Sequence, residues 1–462
     1  MQITADLRYD KGTIIIDGIA HIPFGTMDPR IGSPRALALD YNNIVRFMKE
    51  SSINYHDKVL DLIPSPQIEL KPDARDHFSF RHYQQAAFDS WIKAGMNGCI
   101  VLPTGAGKTM IGIKAIETVN SACLVIVPTL DLMEQWKFVL MKSFQNLKVG
   151  TIGGGLDQMD PITISTYDSA YIRAASLGNK FSLIIFDEVH HLAAPGYRSI
   201  AEQMASPFRL GLTATIERED GMHVELPRLV GGVVFQVSAS ELVKEKHLAQ
   251  FHIERRQVQM LPEEMKEYND NMSNYQSILK RLGFHYPVPF EKLIMMSGRN
   301  KLAREALLSR NKAMNIALNS KSKIEELREI LAGNRGRKII IFTQHNSLVY
   351  QISDLFLIPF ITHKTEKEER HEVLRGFKQN VYNAIVTSKV LDEGVDVPDA
   401  DLGIILSGTG SAREFIQRLG RLLRPGAGVE KTANLIEITS AGTREIGIST
   451  KRKRAVVKSK ST

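Results

Sequence analysis

The chain has 462 residues, 24% charged and 43% hydrophobic, a balance that suits a globular protein of about two to four domains. No run of about 18 or more apolar residues occurs, and Met1-Gln2-Ile3-Thr4-Ala5-Asp6 has neither a basic nor an apolar leader region, so a helical membrane span and a signal peptide are not expected. Two cysteines, Cys99 and Cys123, lie in apolar runs; they support neither a disulfide framework nor a metal site and suit a reducing cytosol.

In chain order, residues 1–75 form a separate small α/β module. Leu7 to Ile16 reads as two strands around an Asp10-Lys11-Gly12 turn, and Asn42 to Glu50 as a short helix. A Pro- and charge-rich connector follows, from Ile63-Pro64-Ser65-Pro66 to Arg75-Asp76. Residues 76–240 alternate strand and helix, with apolar runs at Gly98–Leu102, Cys123–Val127, Ile162–Ser165, Leu183–Phe186 and Leu210–Leu212; such runs predict a parallel sheet covered on both faces. Residues 241–320 lose the strands, and Glu263 to Leu282 and Glu291 to Leu318 read as a helical insertion with Met295 and Met296 as core filling. A second α/β pattern spans 321–447, with strands at Lys338–Phe342, Asn383–Val386 and Gly403–Leu406 and an amphipathic helix from Ser411 to Leu423. Residues 448–462 are a basic tail. Its six Lys and Arg carry most of the net charge of +8, either as a phosphate-binding arm or as a solvated terminus.

The chemistry starts where the run Ile100-Val101-Leu102 breaks into Pro103-Thr104-Gly105-Ala106-Gly107-Lys108-Thr109. A strand, a Gly-rich turn and a helix N-terminus in that order cradle a polyphosphate, with Lys108 reaching the β/γ-phosphates and the Thr109 hydroxyl able to hold Mg²⁺. The first glycine of the usual pattern is replaced by Leu102. Downstream, Phe181 to Phe186 ends in Asp187-Glu188-Val189-His190. A carboxylate at the end of a buried strand serves a nucleotide-bound Mg²⁺, and Glu188 can deprotonate an attacking water. Gly211-Leu212-Thr213-Ala214-Thr215 offers small hydroxyls able to relay contacts from the nucleotide. In the second block Gln417, Arg421 and Arg424 share one helix face suited to a polyphosphate, and Gly394 and Asp396 in Thr387–Pro398 are placed at the same cleft.

Together these motifs resemble a superfamily-two helicase over about 370 residues, and the replacement at Leu102 is common there. The resemblance implies an α/β protein of two RecA-like parallel-sheet lobes that uses ATP and Mg²⁺. It implies that Gln84, in Arg81-His82-Tyr83-Gln84, reads the adenine edge. Thr129 in Val127–Leu130, Thr166 in Ser165-Thr166-Tyr167, and Thr387 would contact nucleic-acid phosphates. Arg218-Glu219-Asp220 after Thr-Ala-Thr, with Asp187-Glu188-Val189-His190-His191, resembles the XPB helicases, whose members include the TFIIH helicase subunit and archaeal relatives. That likeness implies a damage-recognition role for the N-terminal module, a thumb for the helical insertion, DNA opening by Arg218-Glu219-Asp220, and 3′-to-5′ polarity. DNA is the expected partner, with a nuclease or repair and transcription factors beside it; a nucleoid-associated cytoplasmic location is expected, and no membrane. The motifs leave open a helicase, a translocase that does not unwind, and an ATP-switched scaffold that recruits a nuclease.

Overall fold

The computed structural model describes residues 4–65, 67–72, 79–218, 220–238, 241–242, 250–284, 290–388, 400–407 and 432–450. The chain divides into two compact units, Met1–Leu242 and a second beginning at Val243.

The first unit opens with β1 (Thr4–Asp10) and β2 (Thr13–Asp17), an antiparallel hairpin in which Asp10 faces Thr13 across the expected Lys11-Gly12 turn. With β3 (Gly25–Asp28), β4 (Ser33–Leu37) and β5 (Asn54–Lys58) it makes a sheet in the order β3-β4-β2-β1-β5. Alternate residues Ala5, Leu7, Ile14 and Ile16 point to one face, where Ile44 and Met48 of helix α1 (Tyr41–Glu50) cover them. This module packs against the rest of its unit. The Tyr9 hydroxyl donates to Ala175 O at 2.9 Å and Gln203 O at 3.0 Å, and Ala205 joins the module's core. Burial pushes the Tyr9 phenol up to about 12. Just before the connector Asp61 N donates to Asn179 O and Asp61 pairs with Lys180, and within its described residues Ile63 N donates to Lys180 O and Lys71 N to Ser143 O. A composition-based reading makes it a linker, yet its backbone polar groups find partners along the neighbouring domain.

The larger sheet of the first unit has the order β13-β6-β12-β11-β7-β10-β8-β9. Its strands are β6 (Asn97–Val101), β7 (Cys123–Val127), β8 (Val149–Gly153), β9 (Leu156–Gln158), β10 (Ile162–Thr166), β11 (Leu183–Asp187), β12 (Phe208–Thr213) and β13 (Val233–Gln236). All pairs are parallel except β8–β9. The five expected strands are present and largely buried, as two covered faces require, but only β7 is apolar throughout: Thr163 and Ser165 of β10 and Arg209 of β12 are polar residues buried with them. The β8–β9 pair escapes the sequence because it is Gly-rich and its second strand is exposed. Helices α2 (His82–Lys93), α3 (Lys108–Val119), α4 (Leu130–Ser143) and α5 (Tyr167–Leu177) lie between strands and bury Trp91, Ile116, Trp136 and Ala174.

In the second unit, β14 (Gln250–Val258) pairs in parallel with β19 (Thr432–Ser440), completing a sheet ordered β14-β19-β18-β15-β17-β16 with β15 (Ile339–Phe342), β16 (Phe360–Ile361), β17 (Ala384–Thr387) and β18 (Leu402–Ile405). The expectation that strands stop after residue 240 is therefore corrected: β14 is an edge strand carrying Glu254, Arg255 and Arg256, and those charges hide its pattern. Helices α6 (Pro262–Arg281), α7 (Phe290–Ser297) and α8 (Lys301–Leu318) pack around Tyr268, Met272, Leu293 and a small-residue face of Ala303, Ala306, Ala313 and Ala317. The helix-favouring stretch from Glu291 to Leu318 forms two helices, and Asn300 caps α8 by accepting from Leu302 N at 2.9 Å and Ala303 N at 3.2 Å. Met296 packs against this core, but Met295 is 74% exposed, so its expected core role is corrected.

Candidate active site

Three strand ends meet at the C-terminal edge of the larger first-unit sheet. Val101 lies opposite Thr213, and Leu212 opposite Asp187, so β12 places Thr213 between the loop after β6 and the acid at the end of β11. Ligands of open parallel sheets bind at such carboxyl edges.

The loop after β6 turns through Gly105 (φ +84°) and Gly107 (φ +82°). A Cβ at Gly107 would stand 2.4 Å from Gln84 Nε2 as well as in the left-handed region, so only glycine serves there. Helix α3 begins at Lys108 with its first N–H groups facing the loop. Gln84 Nε2 and the Tyr83 hydroxyl both donate to Ala106 O at 2.9 Å, and Gln84 Oε1 accepts from Arg81 N at 2.9 Å. Arg81 and Gln84 thus brace the loop, with the amide already engaged by backbone. Lys108 Nζ reaches Leu102 O at 3.3 Å, and the buried Thr104 Oγ1 has no hydrogen-bond partner among the described residues.

Asp187 is 6% exposed. Its Oδ1 accepts from Glu188 N at 3.0 Å, its Oδ2 from Trp136 Nε1 at 2.8 Å, and its backbone O from the Tyr167 hydroxyl at 3.1 Å. Burial pushes its carboxyl up to about 6, the Glu188 charge adds to the shift, and the Trp136 N–H and the Lys108 charge oppose it. Glu188 is held at φ +48°, ψ +54°, left-handed backbone that costs energy in a non-glycine residue. The Thr213 hydroxyl is a hub, 3.2 Å from Glu188 Oε2, 3.0 Å from His190 Nδ1, 2.8 Å from Thr215 O and 3.2 Å from Thr215 N. Arg218 Nη1 donates to His190 O at 2.8 Å while its guanidinium pairs with Asp220, which holds the Asp220 carboxyl well below the usual range. Arg218, expected as a DNA-opening group, is thereby bonded to the segment carrying Glu188.

The residues fit a nucleoside triphosphate with Mg²⁺. The unpartnered Thr104 hydroxyl, the free turn of α3 and Lys108 supply donors for an anion. Thr109 and Asp187 offer hard oxygen ligands, the small protein share Mg²⁺ takes when phosphate oxygens complete its shell.

Thr129 and Thr166 cap α4 and α5, accepting from Leu132 N at 3.2 Å and Ser169 N at 3.3 Å. Their strands are parallel neighbours, with Thr166 opposite Val127, so two helix N-termini lie side by side. Tyr167, expected on the nucleic-acid face with Thr166, instead points inward to Asp187 O and packs on His191. Thr387 is fully buried, with its hydroxyl on Ser388 O at 3.0 Å. Gln417, Arg421, Arg424, Gly394, Asp396 and Glu219 lie outside the described residues, as does most of the basic tail. Trp136, Tyr83 and the inward role of Tyr167 were missed. An aromatic inside a helix pattern reads as core, and only the meeting of distant strands reveals its polar partner.

Three family models match stretches of the chain. Residues 7–59 match the Xeroderma pigmentosum group B helicase damage recognition domain, residues 77–218 the type III restriction enzyme res subunit, and residues 308–460 the ERCC3/RAD25/XPB C-terminal helicase. A DNA 3′-5′ translocase XPB2 of Sulfurisphaera tokodaii is 44% identical over 449 residues, 97% of this chain and 99% of that one. The general transcription and DNA repair factor IIH helicase/translocase subunit XPB of Danio rerio is 29% identical over 85% of this chain and 48% of its own length. In fold alone, the crystal structure of the Pyrococcus furiosus Hef helicase domain is similar at 21% identity with a TM-score of 0.53, covering 82% of this chain and 99% of that one.

Proposed function

The chain belongs to the XPB helicase family, and from that premise we propose that the cluster around Asp187 is its site of ATP hydrolysis. The protein is an ATP-dependent DNA helicase/translocase with two RecA-like lobes. The observation that carries the site reading is the Thr213 hydroxyl, which links Glu188, the candidate base, to His190 and Thr215 in one hydrogen-bonded set beside the phosphate loop.

In this reading the α3 N-terminus, the loop amides and Lys108 hold the triphosphate, and Thr109 and Asp187 hold Mg²⁺. Mg²⁺, when bound, spreads charge over the phosphate oxygens. Glu188 takes the proton of the attacking water, its strained backbone and its Thr213 contact setting the carboxylate's direction. Thr213, through His190 and the Arg218 bond to His190 O, passes a change at Glu188 to the Arg218–Asp220 loop. Arg421, Arg424 and Gln417, outside the described residues, are proposed to supply positive charge and polar contact to the transferred phosphoryl group. The paired helix N-termini at Thr129 and Thr166 grip backbone phosphates, contacts that are sequence-independent and salt-sensitive. Polarity is 3′ to 5′, the N-terminal module reads distorted duplex through deformability, and repair or transcription factors are the partners. Among the described residues no helix is long and apolar enough to cross a membrane, and a nucleoid location in the cytoplasm suits the DNA substrate.

The test is ATP hydrolysis with and without forked DNA, for wild type and Glu188→Gln, beside displacement of the annealed strand. Stimulated hydrolysis and strand separation, both lost in Glu188→Gln, support the site reading. Stimulated hydrolysis with strands left paired makes the chain a translocase. Full hydrolysis by Glu188→Gln would remove Glu188 as the base.

A further inference from the structure

Asp187 has one partner that lies in none of the sequence motifs. Trp136 is 1% exposed, and its indole N–H, a group that can only donate, points at Asp187 Oδ2 from 2.8 Å. With Glu188 N on Oδ1, the two donors fix the plane of the carboxylate and leave its remaining lone pairs in a set direction. The indole has little freedom to move. Its Cη2 edge lies against α3 at Gly112, where an added Cβ would stand 2.5 Å away, so the helix that begins at Lys108 is built to admit this ring. Trp136 also sits on α4, two helical turns (about 10 Å) from its N-cap Thr129. One side chain therefore touches the phosphate-loop helix, the acid at the end of β11 and the helix whose N-terminus is the candidate phosphate grip.

We infer that Trp136 is a positioning residue for ATP hydrolysis: its N–H orients the Asp187 carboxylate, and through it a shift of α4 at the Thr129 end is felt at that carboxylate. The inference rests on the reading of Asp187 as the Mg²⁺-holding acid. A hydrogen-bond donor behind a metal-ligating carboxylate is worth about 10–100-fold in metal affinity or activity.

The experiment uses the full chain with Trp136→Phe and with Trp136 replaced by 3-benzothienylalanine, which keeps the ring shape and puts sulfur in place of N–H. With saturating forked DNA, both are expected to lose about tenfold in kcat while KM for ATP and equilibrium binding of a fluorescent ADP analogue without Mg²⁺ stay within about twofold. The chain has two tryptophans, so in Trp91→Phe the emission of Trp136 stands alone. It is expected to change when Mg²⁺ is added to the nucleotide complex, and not with nucleotide alone. If Trp136→Phe fails to fold, the benzothienyl protein decides. A benzothienyl kcat within twofold of wild type, or an emission indifferent to Mg²⁺, overturns the inference. Asp187→Asn separates the two readings: if it hydrolyses ATP normally, the site assignment itself fails; if it is inactive while the benzothienyl protein is normal, only the role of Trp136 falls.

Discussion

Lys108 in the first unit and Lys323 in the second are both lysines set among polar groups, but they are completed to different degrees. Lys323 Nζ lies 2.6 and 2.8 Å from the two oxygens of Glu445 and 2.7 Å from Leu406 O, and Ser440 N donates to the same carboxylate at 2.9 Å. An ammonium has three donors, and all three are used in a pair only 1% and 2% exposed. Lys108 has, among the described residues, a single hydrogen bond, to Leu102 O at 3.3 Å, beside a Thr104 hydroxyl with none. Saturated polar groups hold a fold together. Unsaturated ones, on a loop turned by Gly105 and Gly107, are donors available to a ligand.

This contrast can be tested from both sides. The largest expected effect is at the unsaturated site: Glu188→Gln lowers kcat by about 10²–10⁴-fold with nucleotide binding retained, measured by hydrolysis and by equilibrium binding. At the saturated site, Lys323→Ala leaves Glu445 buried without its cation and costs about 3–5 kcal/mol of stability, measured by denaturant unfolding. A smaller loss is expected for Tyr9→Phe, which removes the hydroxyl bound to Ala175 O and Gln203 O; about 1 kcal/mol should appear as earlier proteolytic release of the N-terminal module. The smallest stability change belongs to Lys108→Ala, within about 1 kcal/mol because so little of its bonding is internal. The same variant loses the ligand-induced stabilisation of about 2.7 kcal/mol that wild type gains at nucleotide concentrations of 100 times Kd. A Lys108→Ala protein as unstable as Lys323→Ala would break the contrast.

Much of the site was legible in local sequence. The Pro103–Thr109 turn, the acid after Phe186 and the buried strands β6, β7, β10, β11 and β12 announce themselves because a phosphate loop is a local backbone device and a doubly covered strand carries a mostly apolar run. Charge hid β14, whose Glu254, Arg255 and Arg256 suit a sheet edge, and glycines hid β8. The connector from Ile63 reads as a linker because composition records polarity and not the carbonyls of Lys180 and Ser143 that accept from its Ile63 and Lys71 N–H groups.

The sequence by itself determined which residues are candidates to bind phosphate, hold a metal and move a proton, since candidacy follows from residue type beside a turn or strand end. Only the tertiary structure decided that Thr213 stands between Glu188 and His190, that Arg218 grips His190 O, and that Trp136 reaches Asp187 across 51 residues. The physical reason is strand order. β12 is inserted between β6 and β11 although it follows both in the chain, and helices α3 and α4 pack where that order puts them. Hydrogen bonds between such distant residues depend on which strands become neighbours, a choice made by burial of the whole sheet and by no single stretch of sequence.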